Sequence, residues 1–164
     1  MRIAARALVL FALACAPVAA GAQQAPAIFR AIKVDVSHLV EKGLGPEAEW
    51  IAADLPGRLQ VAFAGRFAPR AAAAPTLLVR IDLVTLGDSG GGGTQPFGGV
   101  GARDEIQGVA FVVAPGGRTL ASFPLFTSQI DFTGGSVYER GTERRRVAEL
   151  ASSFAQWLPG QMGL

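Results

Sequence analysis

The chain has 164 residues, half of them hydrophobic, with 15 basic and 13 acidic side chains, one His and one Cys. A single cysteine excludes a disulfide scaffold and a cysteine-rich metal site. So small a net charge leaves no electrostatic footprint for nucleic acid, and the length suits one domain with its own core.

The first 22 residues read as an address. MRIAAR carries Arg2 and Arg6, ALVLFALACA is an uninterrupted apolar run, and PVAAGA sets Ala20 and Ala22 in the A-x-A register of a secretory signal. Pro17 follows too soon for a membrane span. The best later stretch, LLVRIDLVTL, is interrupted by Arg80 and Asp82. The expected mature protein is therefore residues 23–164, exported to the periplasm or secreted, with no transmembrane segment. Lipid anchoring through Cys15 is the rival, but Ala12 stands where such a signal wants Leu, and Leu13 is one place late. Removing Arg2 and Arg6 from the 15 basic residues leaves 13 against 13 acidic ones, so the mature chain is neutral.

IFRAIKVDVSHL alternates, with Ile32, Val34 and Val36 on one face, and predicts a strand over about 28–38. EKGLG turns the chain. PEAEWIAADLPGRLQVAFAG has helical spacing from Trp50 and Ile51 through Leu55, Leu59 and Phe63, with Pro46 suited to its first turn. Pro56 removes an internal hydrogen bond, so a kink or split is expected near 54–57 of this 46–66 segment. TLLVRIDLVTL is a second strand, with Leu77, Val79, Ile81 and Leu83 on one face. Residues 87–101, GDSGGGGTQPFGGVG, hold eight glycines in fifteen positions and read as a long connection. RDEIQGVAFVVA is a third strand, PGG a tight turn and RTLASFPLFTSQ a fourth strand, which Pro124 marks as an edge or a bulge.

Ser136 and Glu139 have capping-box spacing ahead of the last helix. Val147, Leu150, Ala151, Phe154, Trp157 and Leu158 form its apolar stripe, and Pro159 and Gly160 stop it. The order strand-helix-strand-strand-strand-helix predicts an α+β two-layer sandwich. Two helices cover one face of a mostly antiparallel four-stranded sheet.

GDSGG at residues 87–91 matches the nucleophile motif of trypsin-like serine proteases letter for letter. That chemistry also needs a base and an orienting acid. The one histidine, His38, lies in VSHLV and reads as a strand-end side chain, and Asp82 is only seven residues before Ser89. Four strands and two helices cannot build two β-barrels. No enzyme is expected. SGGGGTQ lacks the Gly-Lys-Ser/Thr end of a phosphate loop. Asp88 and the RDE run at 103–105 read as solvated charges, so neither cofactor nor metal is expected. Two features point to contact with a partner. Arg140, Arg144, Arg145 and Arg146 form a basic run interleaved with Glu139 and Glu143, and Phe97 stands alone among glycines.

The hairpin VAFVVAPGGRTLASFPL and the closing VAELASSFAQWL resemble the strand–Gly turn–strand and the terminal helix of the lipoprotein plug of the lipopolysaccharide-assembly translocon. The resemblance implies a small exported envelope protein and transfers no functional residue. That family carries its lipidated Cys at the start of the mature protein, where this chain has Gln23. The expected role is a non-catalytic envelope accessory or binding protein, partnered by an envelope protein or anionic lipid. The alternative is a small-ligand or lipid-binding module using the cleft between sheet and helices, and an enzyme comes third.

Overall fold

The computed structural model describes residues 26, 28–87, 103–130 and 141–164. The elements are β1 (Ala31–Asp35), α1 (Ser37–Glu41), α2 (Gly45–Ala62), β2 (Thr76–Thr85), β3 (Arg103–Val113), β4 (Thr119–Ile130) and α3 (Thr142–Gln161). They form one sheet in the order β1-β2-β3-β4. The β1–β2 pair is parallel and joined by the helical crossover; the other two pairs are antiparallel. Alternation in a half-buried strand produces this layering, because every second side chain must find the helices. Asp104, Ile106, Gly108, Ala110 and Val112 point inward along β3, and Ala121, Phe123 and Leu125 along β4. Ile51, Leu55 and Leu59 of α2 and Val147, Leu150, Phe154 and Leu158 of α3 complete the core. Phe29 closes one end, its ring edge-on to Phe63 at 5.7 Å. Among the described residues these side chains pack between sheet and helices, where the sequence suggested a cleft.

Four local features depart from the sequence reading. The first strand ends at Asp35, and the chain turns into α1 because the Asp35 carboxylate accepts the Ser37 N–H at 3.0 Å. His38 is therefore helical. Second, α2 runs unbroken through Pro56. Ala52, one turn back, is exposed, so the carbonyl freed by the missing N–H faces water and little is lost.

Third, β2 carries one extra residue between Ile81 and Leu83. The bulge reverses the alternation, so Val84 is buried and Leu83 only half-buried. Gly108 faces this bulge: a Cβ there would press on the Arg80 carbonyl oxygen and lie 3.2 Å from the Phe154 ring. Glycine lets the bulge, β3 and α3 approach one another.

Fourth, Trp157 is 68% exposed. The stripe centres on Val147, Phe154 and Leu158, and Trp157, one residue before Leu158, lies about 100° further round. α3 also continues through Pro159 to Gln161. The capping pair Ser136 and Glu139 falls outside the described residues, and the observed N-cap is Gly141 at φ 92°. As expected from Pro124, β4 is an edge strand.

Truncating the two aromatics of α3 separates these environments. Phe154→Ala should lose about 3–5 kcal/mol of stability, while Trp157→Ala should stay within about 0.5 kcal/mol of wild type. Urea melts of both variants measure the difference.

Candidate functional site

Among the described arginines of the run, Arg144, Arg145 and Arg146 do not share one surface. Arg144 and Arg145 are exposed, but Arg146 is only 6% exposed. Consecutive helical residues diverge by about 100°, and the third arginine is the one turned inward. Its Nε donates to Asp104 Oδ2 at 2.7 Å, and its Nη2 donates to Asp104 Oδ1 and to the Gly87 carbonyl, the latter at 2.6 Å. The Gly87 N–H donates to the same Asp104 Oδ1 at 3.0 Å. One buried carboxylate thus ties the end of β2, the start of β3 and the first turns of α3 together. Arg145 reaches back to the Thr142 hydroxyl at 3.4 Å. Arg140, Phe97 and Ser89 lie outside the described residues.

A second polar group lies at the β2 bulge, and the sequence reading missed it. Arg80 Nε donates to Asp82 Oδ1 at 2.7 Å. His38 Nδ1 stands 3.2 Å from that same oxygen, and Lys42 Nζ donates to the Asp82 carbonyl at 2.7 Å. The Arg80 guanidinium lies over the Phe111 ring at 5.2 Å, a cation–π distance. The hydrogen bond from Arg80 to Asp82 holds the guanidinium pKa above its ordinary value, despite a smaller opposing effect of burial. Hydrogen bonds from the Ser37 backbone and hydroxyl lower the Asp35 pKa, with His38 and Arg80 adding attraction.

This geometry brings together a histidine and an aspartate that lie far apart in sequence. The carboxylate is shared with Arg80, and His38 and Asp82 are 42% and 27% exposed as side chains. Among the described residues no hydroxyl bonds the imidazole. The group anchors α1 to the bulge and presents a mixed-charge surface. Among the described residues no cluster of three His, Cys, Asp or Glu side chains could hold a metal.

The sheet face opposite the helices forms the third candidate. It carries Leu78, Arg80, Val109, Phe111 and Val113, with Leu120 45% and Phe126 55% exposed. Single exposed hydrophobes are ordinary; here several share one face of the sheet.

No protein-family model matches the chain, and no curated protein matches it. Among solved structures, the PelC dodecamer from Paraburkholderia phytofirmans superposes with a TM-score of 0.51 at 12% identity, covering 85% of this chain and 92% of that one. A PelC variant from the same organism gives 0.49 at 13% identity, over 84% and 93% of the two chains. A minor lipoprotein from Acinetobacter baumannii gives 0.36 at 11% identity, over 82% and 94%. At such identities the likeness to PelC is one of fold. Among the described residues no helix is long and apolar enough to cross a membrane.

Asp104→Ala leaves a buried guanidinium without its carboxylate and should cost about 3–5 kcal/mol, whereas Arg144→Ala should change stability by less than about 0.5 kcal/mol; urea melts measure both. The Asp35 contribution depends on pH. Because its folded pKa is lowered from 3.8, its stabilisation is complete above the ordinary carboxylate range and disappears as pH falls through the lowered value. The stability difference between wild type and Asp35→Asn should therefore be constant near neutrality and shrink below about pH 4, as thermal melts across that range would record.

Proposed function

We propose that the protein is an exported, non-catalytic accessory of the bacterial envelope that works by binding, through the open face of its sheet. The observation that carries this reading is the apolar surface of Leu78, Val109, Phe111, Leu120 and Phe126, set on a rigid sheet whose other face is packed by helices. The sharing of Asp82 between Arg80 and His38 supports a binding or anchoring role for that group over an orienting role in nucleophilic catalysis. The fold likeness to PelC, solved as a dodecamer, supports placing this scaffold in assemblies. Within that role, an outer-membrane assembly step is the narrower reading, supported by the resemblance of the hairpin and closing helix to the lipopolysaccharide-assembly lipoprotein. Anionic lipid at the arginines is the weaker alternative, because Arg146 is committed to Asp104.

Purifying the tagged exported chain and its Phe111→Asp variant from the native envelope tests the reading. Wild type should retain a discrete envelope component in constant proportion, and the variant should retain it at least about tenfold less, the loss expected when a central aromatic anchor is removed. Circular dichroism melts must show both proteins folded. Equal retention by both, or recovery of nothing but untagged copies of the chain, would contradict it.

A further inference from the structure

We propose that β4 is a self-pairing edge. Two copies of the chain join antiparallel through it, about a two-fold axis at Phe123, into one continuous sheet.

The two sheet edges are built differently. β1 has five residues and carries Lys33 and Asp35, charges that discourage strand addition. The chain just ahead of it is already paired: the Phe29 N–H donates to the Arg66 carbonyl, and the Phe29 carbonyl accepts the Ala68 N–H, both at 2.8 Å. β4 has twelve residues, TLASFPLFTSQI, without a single charge. Among the described residues no strand lies beyond it. Its inner face is fixed by Ala121, Phe123 and Leu125 in the core, and Gln129 is hydrogen-bonded to Ser153 of α3. A long, uncharged, rigid edge is a template for pairing.

The pattern of side chains says which strand fits. With Phe123 on the axis, Leu120 of each copy lies opposite Phe126 of the other, Ala121 opposite Leu125, and Ser122 opposite Pro124. Among the described side chains, Leu120 and Phe126 are the large hydrophobes that β4 exposes, at 45% and 55%. In this register each covers the other, as favourable cross-strand pairs do. The inward set meets an identical inward set, and no like charges face each other. A guest strand of arbitrary sequence has no such built-in match. Pro124 has no N–H and costs the pairing at most one donor per strand. One strand pair buries less than the roughly 1,200 Å² of a standard interface, so the dimer is weak and forms with rising concentration.

Sedimentation velocity of the exported chain over a wide concentration range tests this. Wild type should shift reversibly from monomer to dimer. Phe126→Lys should weaken association about tenfold or more by setting a charge against Leu120, and Pro124→Thr should strengthen it by restoring a donor. Val61→Lys, an exposed position on α2, should change nothing. Because the exported chain lacks cysteine, the register can be read by cross-linking. A mixture of Leu120→Cys and Phe126→Cys proteins should form a mixed disulfide, and Leu120→Cys alone should not dimerise through sulfur. Wild type that stays monomeric throughout, a dimer indifferent to Phe126→Lys, or Leu120→Cys linking to itself overturns the proposal. None of these readouts involves an envelope partner, so the proposed binding role stands or falls separately.

Discussion

The ion pair between Asp104 and Arg146 is the constraint on which the arrangement of the two layers depends. Each of these charges is 6% exposed or less, and removing a charge from water costs several kcal/mol unless its bonds are replaced. Here they are replaced from three directions. Asp104 accepts from Arg146 on both oxygens and from the Gly87 N–H, while Arg146 also donates to the Gly87 carbonyl. A set of bonds that costs so much when incomplete admits few alternatives. It fixes the head of α3 over the β2–β3 end of the sheet, where hydrophobic packing alone would tolerate sliding.

From that end α3 is committed along its length. Phe154 reaches the point where Gly108 meets the β2 bulge, and Leu158 and Met162 close the far end. The bulge has consequences on the other face too. It keeps Val84 in the core, and the extra residue, Asp82, joins the outward-facing Arg80, where the two gather His38, Lys42 and Phe111. One inserted residue thus serves both surfaces. Among the described residues the helices cover a single face of the sheet, and the opposite face and the β4 edge are left without a covering element.

What was legible in the sequence was what neighbours decide. Alternation located the strands because a half-buried strand must divide its side chains between two environments. Pro124 located the edge because a missing N–H is tolerated there. What was hidden depends on residues distant in the chain. Arg146 looks like Arg144 and Arg145 until Asp104, 42 residues earlier, is placed beside it. The bulge at Asp82 requires Gly108 on the facing strand, and α1 is a short turn set by Asp35, below the length at which periodicity is visible. His38 and Asp82 stood apart for the same reason. Trp157 was misplaced because a stripe in sequence does not mark where its margin meets water.

The central claim is that the Asp104–Arg146 pair locks the helical layer to the sheet at one end. Amide hydrogen exchange on wild type and Asp104→Asn tests it most directly. The account predicts that the variant loses protection together at Gly87 and in the second turn of α3, while the amides at the centres of β2 and β3 remain protected. Unchanged protection at Gly87 in the variant, or uniform loss throughout the sheet, would contradict it.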